Sequence, residues 1–208
     1  MTAPIRRRQG QAMAEFIIVW PTILLLLLGA LQFGLIYWAR ATANLAAFEA
    51  ARAGALDHGR SSAMTEAFKR GLAPLFTQDD TYQAITTAYN KAAAEMTYAK
   101  VEMVSPTPAA VTDFAVIVNG QRQIPNDNLT YRSAAAGGSS GMSIQDANLL
   151  KVKTTYGYKL WVPLVNKIII ETVKATDSNA FHLGTLYPDQ RLPIVSYATV
   201  RMQTPLYQ

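Results

Sequence analysis

Two short stretches of the sequence carry residue types that could do chemistry. Glu15 is a carboxylate at the edge of a stretch, Phe16 to Ala39, that contains no charged residue. A carboxylate next to hydrocarbon costs on the order of a few kcal/mol unless it is paired, so Glu15 is a candidate for a functional ion pair. The second stretch, Gly137–Gly141, matches the hydrolase pattern G-x-S-x-G with Ser139 as its nucleophile. That pattern needs a strand before the serine, and the preceding alanines form strands poorly, so we expect a flexible loop there.

The uncharged stretch is long enough to cross a membrane, because a hydrocarbon core about 30 Å thick needs about 20 apolar residues in a helix. A secretory signal would have an apolar region of roughly 7–15 residues, which is much shorter. Three arginines, Arg6, Arg7 and Arg8, precede the stretch. Basic residues beside a span mark its cytoplasmic side, so we expect the C-terminal part on the other side. Gln32 is a polar residue inside the stretch, where it either bonds another helix or is simply tolerated.

An ordinary membrane anchor explains the arginines but needs neither Gly10 nor Glu15. A glycine followed five residues later by a glutamate, directly before an apolar run, resembles a type IV prepilin or pseudopilin. The text from Gly10 to Pro21, GQAMAEFIIVWP, is most similar to TadE-type minor pseudopilins of tight-adherence (Tad) pilus systems, in which a proline falls early in the apolar segment. Later segments also resemble that family: Ile124–Leu129, Gln145–Lys151, Val162–Val165 and Ala198–Gln203.

The resemblance implies a function and a set of partners. A prepilin peptidase would cut between Gly10 and Gln11, and residues 1–10 would be the leader. Glu15 and Phe16 would serve peptidase recognition and assembly, with the Glu15 carboxylate pairing with the new N-terminal ammonium of Gln11 on a neighbouring subunit. The expected partners are the peptidase, other pilins and minor pseudopilins, and inner-membrane lipid. The protein would sit in the inner membrane as a single-pass protein with its C-terminal domain in the periplasm, and would enter an adhesive pilus without being an enzyme.

Composition narrows the remaining classes of function. The net charge of +5 includes the three leader arginines, and without them 16 basic residues face 14 acidic ones, a balance of +2. The positive charge is therefore mainly a signal of membrane topology, and we expect no nucleic-acid partner and no small-molecule substrate. The chain has no cysteine and only two histidines, in unrelated contexts, so no disulfide, metal or cofactor is expected. The oxygen-rich Asn126–Asn128 is read as a turn.

The patterns along the chain predict an α+β, pilin-like fold: a long N-terminal transmembrane helix, then helices packed on one face of an antiparallel sheet. We expect one helix over Gln11–Leu56, with a span at 16–39 and a kink at Pro21, followed by a periplasmic domain over 57–208. Further helices are expected over Ser62–Phe76 and Asp80–Ala99, with Ser62 and Asp79 as N-caps. Clean alternation predicts strands at Leu149–Leu160 and Leu192–Met202. Val101, Met103 and Val111–Val118 are β-like, and Pro163–Val173 fits either helix or strand.

Two alternatives stay open at this point. The first is an uncleaved single-pass protein of a secretion apparatus, with its C-terminal domain in the periplasm. The second is a membrane-tethered hydrolase that uses Ser139. The mass of the mature protein distinguishes the first alternative from a processed pseudopilin, and loss of activity on Ser139→Ala would be needed to support the second.

Overall fold

The computed structural model describes the backbone of Arg7–Tyr207 and the side chains of Met13 and Glu15–Tyr207. The chain divides into two compact units. Unit 1 contains the described residues up to Trp38 together with Lys159–Leu192, and unit 2 contains Ala39–Tyr158 and Pro193–Gln208. The predicted ranges 1–10, 11–56 and 57–208 concern leader removal and membrane position, so they stay predictions.

The N-terminal helix, α1, covers Arg7–Leu56, which is 50 residues and about 75 Å at helical rise. It ends where the sequence predicted but begins four residues before Gln11, so Gly10 and Gln11 lie within it. The helical assignment continues through Pro21, and the predicted kink stays a prediction. A tight turn ends α1, with His58 and Gly59 both at positive φ and the Gly59 amide donating to the Gly54 carbonyl at 2.8 Å. A Cβ on Gly59 would lie 2.3 Å from the Leu206 side chain, so this turn needs glycine.

Two helices follow α1, and after them strands alternate with three further helices. The helices are α2 (Ser61–Leu72), α3 (Tyr82–Glu95), α4 (Pro108–Phe114), α5 (Ile144–Ala147) and α6 (Val165–Lys174). The strands are β1 (Ala99–Ser105), β2 (Val116–Val118), β3 (Gln121–Ile124), β4 (Leu149–Lys159), β5 (Arg191–Arg201) and β6 (Leu206–Tyr207). They form two three-stranded sheets, β1-β4-β5 and β2-β3-β6. The α+β prediction is confirmed.

Strand β4 is the central strand of the β1-β4-β5 sheet. It pairs antiparallel with β1, for example through Thr154 opposite Val101. The face that alternation predicted to be buried is buried: Leu150, Val152, Thr154, Tyr156, Tyr158 and, just beyond the strand, Leu160. Lys151 and Lys159 are exposed, and Lys153 is half-buried. The alternation therefore predicted the strand and its buried face, but the opposite face is not wholly exposed, because Thr155 and Gly157 are buried as well.

The part of α1 in unit 2 contributes small side chains to the core. Its fully or nearly fully buried residues are Ala39, Ala43, Ala46, Ala47, Ala50, Ala51 and Ala55. Small side chains let neighbouring elements come close: a Cβ on Gly71 of α2 would lie 2.6 Å from the Ala46 Cα, and Asn44 accepts a 2.7 Å hydrogen bond from Ser196 of β5. The larger residues Leu45 and Phe48 of the same helix are at least half exposed. Residues 39–56 are therefore part of this core.

Several local expectations were wrong at element ends. Residues 111–114 are helical, because the Thr107 side chain caps the Ala110 amide and Pro108 starts the α4 turn, which outweighs the β preference of valine. The N-cap of α2 is Arg60 instead of Ser62, and that of α3 is Thr81 instead of Asp79. The Asp79 carboxylate instead accepts from the Thr81 amide and hydroxyl. The ambiguous segment from Pro163 is helical from Val165, as α6.

Candidate assembly site on the N-terminal helix

The predicted processing site lies at the start of the described chain. Gly10 and Gln11 occupy the second turn of α1, and Arg7 and Arg8 its first. Arg6 lies outside the described residues, and the side chains of Arg7, Arg8 and Gln11 lie outside the described side chains. The backbone on both sides of the Gly10–Gln11 peptide bond is helical. Glycine in a helix is about 0.5–1 kcal/mol less stable than alanine, so Gly10 lowers the stability of the helix at the predicted scissile bond.

Glu15 and Phe16 are both exposed on α1, and the Phe16 ring stacks on Trp20 one turn later with centroids 5.5 Å apart. The charged residue and the aromatic pair therefore face outward at the start of the apolar stretch. An exposed carboxylate at this place can meet a cation on another molecule. The structure places Glu15 five residues along the same helix from Gly10, which is more than one turn, in keeping with the predicted spacing.

One helix among the described residues, within Glu15–Leu56, is long and apolar enough to cross a membrane. Most of its apolar half is uncovered: Ile17, Ile18, Leu26, Leu27, Leu31 and Phe33 are all more than half exposed. A large uncovered apolar surface of this kind is unstable in water and marks a region that contacts lipid or another apolar helix.

Gln32 is the buried exception in that apolar half, with no exposed surface. Its side-chain oxygen accepts hydrogen bonds from the backbone amides of Trp161, at 3.2 Å, and Val162, at 2.9 Å. Its Nε2 has no hydrogen-bond partner among the described residues. The sequence left the role of Gln32 open, and the structure shows a bond to a loop of the same chain. The signal was a polar amide side chain in the apolar run, but its partner Val162 lies 130 positions away.

A second polar cluster, which sequence analysis missed, holds the segment after α6. Asp177 accepts a hydrogen bond from the Tyr187 hydroxyl and lies 2.6 Å from Nδ1 of His182. Burial opposes ionisation of Asp177, but the bonds from Tyr187, the Asn179 amide and His182 outweigh it and lower its pKa to about 2. Burial and the neighbouring carboxylate raise the pKa of Tyr187. The cluster closes the turn between α6 and the π-helix at His182–Leu186.

The hydrolase pattern lies in a loop, as predicted. Residues 131–143, all of which the structure describes, carry neither helix nor strand, so Ser139 lacks the strand-turn-helix setting of a nucleophile elbow. The amides of Ser139 and Ser140 donate to the Asp113 carboxylate, at 3.1 and 2.7 Å. The Ser140 hydrogen bonds lower the pKa of Asp113. Amides that already bind a carboxylate are not available as an oxyanion hole.

The other groups that could act as ligands, among them His58 and Asn128, lie in separate parts of the fold. His58 stacks on Tyr207, with ring centroids 3.8 Å apart, and its Nδ1 lies 2.9 Å from the Pro205 carbonyl. It therefore fastens the C-terminal segment to the end of α1. Asn128 has positive φ in a turn, as expected for Asn126–Asn128. Among the described residues, no group of three or more His, Cys, Asp and Glu could hold a metal ion.

Comparison with known proteins gives one match. The sequence model of the family described as TadE-like protein matches residues 10–52, beginning at the predicted cleavage glycine and ending inside α1. No curated protein and no solved structure matches the chain. The resemblance of the four later segments lies outside the matched range and stays an expectation. Residues 10–52 thus carry the TadE-like sequence that the leader motif predicted, and the match is consistent with a TadE-like protein associated with a Tad pilus.

Proposed function

We propose that this chain is a minor pseudopilin that a prepilin peptidase cuts between Gly10 and Gln11 and that then takes part in assembly of a Tad-type adhesive pilus. The observation that carries the proposal is α1 itself. It is a single 50-residue helix with an uncovered apolar half, and the TadE-like match begins at its glycine. The protein acts through this helix and not through catalysis.

The exposed residues of α1 support a role in side-by-side packing. Beyond the apolar stretch, Leu45, Phe48 and Leu56 keep at least half of their surface exposed, while the alanine face of the same helix is buried. An apolar strip therefore continues past the membrane-length segment into unit 2. A helix with such a strip can pack against the apolar helix of another pilin over a greater length than the bilayer is thick.

Membrane position follows from the charges around α1. The arginines before the apolar stretch favour a cytoplasmic N-terminus and a periplasmic C-terminal part. In this arrangement the Gly10–Gln11 bond lies at the cytoplasmic face of the inner membrane, where the peptidase would reach it. The helix must open locally for cleavage, and the glycine lowers the cost of that opening.

The proposal is tested by processing of a tagged full-length chain in cells that carry a prepilin peptidase. Gly10→Leu should leave a precursor that is heavier by the leader, because a branched side chain at the scissile bond blocks the peptidase. Gly34→Leu is a matched control: it makes the same substitution in the same helix, at a position where nothing lies within 4 Å of an added Cβ. It should be cut normally.

Intact mass of the purified protein separates this function from its alternative. A mature chain that begins at Gln11 supports the pseudopilin. A chain that keeps residues 1–10 in the presence of the peptidase supports the uncleaved membrane-anchored component of a secretion apparatus. Normal cleavage of Gly10→Leu would contradict the assignment of Gly10.

A further inference from the structure

Trp161, Leu164 and Ile168 form an exposed apolar surface, here called the α6 stripe, that leads into and continues along α6. Their exposed fractions are 69, 66 and 56 %. Trp161 lies in the loop before α6, Leu164 is the N-cap of α6, and Ile168 lies in the first turn of the helix. Single exposed apolar residues are common, but a tryptophan, a leucine and an isoleucine so close together in the chain mark a surface that contacts something apolar.

Leu164 has a second unusual feature, since its backbone has φ of 67°. With ψ of −53° and the Val165 amide donating to the Pro163 carbonyl at 2.8 Å, Leu164 is the central residue of a γ-turn with positive φ, which is rare and strained. An exposed leucine at such a position gains little from packing within its own chain. A large apolar side chain at a strained, exposed position therefore points to an apolar environment outside the chain.

The α6 stripe is continuous with the apolar half of α1. Gln32 holds the loop at Trp161 and Val162 through two hydrogen bonds. Next to this attachment, α1 and α6 enclose an open apolar groove of about 370 Å³, lined by Leu25, Gly29 and Phe33 among others on one side and by Val165 and Ile168 on the other. Ile168 thus belongs both to the stripe and to the groove along the membrane-length helix.

The depth of the attachment follows from helix geometry. Sixteen residues separate Phe16 from Gln32, which is about 24 Å of helix. The hydrocarbon core is about 30 Å thick, so Gln32 lies within about 6 Å of its far boundary when Phe16 lies at the near one. Amphipathic helices at membrane surfaces bury their apolar face by about 5–10 Å. The loop at Trp161 is therefore held near the far boundary. Ile168 lies deeper, because it lines the groove together with Leu25, which is about 16 Å from the same boundary by this reckoning.

The charges beside the stripe agree with a lipid surface. The Lys159 ammonium lies 5.8 Å from the centroid of the Trp161 ring, and Lys167 and Lys174 lie on exposed positions of α6. Tryptophan and lysine together are typical of the membrane interface, where lysine extends its ammonium toward headgroups. Glu171, the one acidic residue of α6, follows Ile168 by three residues and therefore lies on the same face of the helix. The three lysines Lys159, Lys167 and Lys174 outnumber this one carboxylate, and the positive balance favours anionic phospholipid.

We propose that the α6 stripe inserts into the leaflet on the C-terminal side of the span, where Trp161, Leu164 and Ile168 contact acyl chains and the neighbouring lysines contact anionic headgroups. The inference rests on the proposed function in one respect, namely that α1 crosses the membrane. The second attachment would fix the rotation and tilt of the membrane-length helix. It must be released when the subunit leaves the bilayer for a pilus.

Tryptophan fluorescence tests the proposal, because the chain has three tryptophans, Trp20, Trp38 and Trp161. Two full-length variants keep one tryptophan each, Trp161 or Trp20, with phenylalanine at the other two positions. Each is reconstituted in vesicles of phosphatidylcholine and phosphatidylglycerol, with and without bromine on the acyl chains. Trp161 should lose about half of its emission to bromine placed near the headgroup end of the chain, as expected for a ring at interfacial depth. Trp20 should be quenched whenever α1 spans the bilayer.

The two tryptophans separate failure of this inference from failure of the membrane anchor. Quenching of Trp20 without quenching of Trp161 overturns the α6 stripe and leaves the anchor in place. Absence of both overturns the anchor as well. If Trp161 is shielded from brominated lipid and also from acrylamide in water, a protein covers the stripe and the lipid proposal is wrong.

Charge substitutions provide a second measurement. In the variant with Trp161 alone, Leu164→Asp should abolish the quenching by brominated lipid, because a carboxylate is excluded from acyl chains. Ile85→Asp is the matched control, since Ile85 is similarly exposed but lies on α3 in unit 2. It should leave quenching unchanged. Equal quenching in both aspartate variants would overturn the proposal, and quenching of the parent variant stands by itself if Leu164→Asp does not fold.

Discussion

Replacing Gln32 with leucine tests how the loop after β4 is held to α1. The Gln32 oxygen accepts two backbone bonds, of 3.2 and 2.9 Å, from Trp161 and Val162. Each such bond contributes about 0.5–1.5 kcal/mol net, so losing both costs about 1–3 kcal/mol. Leucine also removes the buried Nε2 that lacks a described partner, which returns about 1 kcal/mol. The expected net loss of local stability is about 1 kcal/mol, within a range of about 0–2 kcal/mol.

Amide hydrogen exchange of the full chain in detergent measures this loss at the affected residues. Since about 1.4 kcal/mol is a tenfold change, the Trp161 and Val162 amides should exchange about fivefold faster in Gln32→Leu, and at most about 30-fold faster. Gln32→Glu keeps the acceptor oxygens and should keep most of the protection. Leu31→Ala changes an exposed neighbour and should have no effect at these amides. Unchanged exchange in Gln32→Leu, or equal acceleration in Leu31→Ala, would refute the reasoning.

Three further predictions concern other parts of the chain. Glu15→Ala should insert and be cut normally, yet lower pilus formation or partner co-purification, because no carboxylate remains to pair with a neighbour's N-terminal ammonium; Glu15→Asp should be intermediate. Gly71→Ala should lower the free energy of unfolding by about 1–2 kcal/mol, which thermal melting would measure. The added Cβ would clash with the Ala46 backbone at 2.6 Å, and this clash outweighs the gain in helix propensity from alanine. Asp177, with a pKa of about 2 in the fold against an ordinary value of 3.8, should contribute about 1–2 kcal/mol of stability above pH 4, and this contribution should disappear as the pH falls from 4 to 2.

Each of these predictions has its own control. Normal pili in Glu15→Ala would remove the ion-pair mechanism and leave the family match intact. Gly184→Ala adds a methyl group where nothing lies within 4 Å and should not lower the melting temperature. Asp177→Asn should flatten the pH dependence between 4 and 2, and an unchanged acid transition in that variant would show that the carboxylate does not carry it.

The sequence determined those features that depend on neighbouring residues. The apolar stretch from Phe16 to Ala39 predicted the membrane-length helix, because length and the absence of charge are enough for that inference. The spacing of Gly10 and Glu15 predicted the TadE-like match. Alternation from Leu149 predicted β4 and its buried face, since the side chains of a strand alternate with a period of two whatever the rest of the chain does.

Where the local sequence allowed two buried faces or two secondary structures, the tertiary structure determined which one formed. Either face of α1 after Ala39 could have been buried, and the alanine face was, because small side chains let α2 and β5 approach within contact distance of the helix. The segment after Pro163 could have been helix or strand, since a short apolar run fits both. Near it, the loop that leads into α6 is bonded to Gln32. Gln32 and Val162 are 130 positions apart. Hydrogen bonding depends on distance in space, whereas the sequence gives distance only along the chain. A polar residue in an apolar run therefore does not specify its partner.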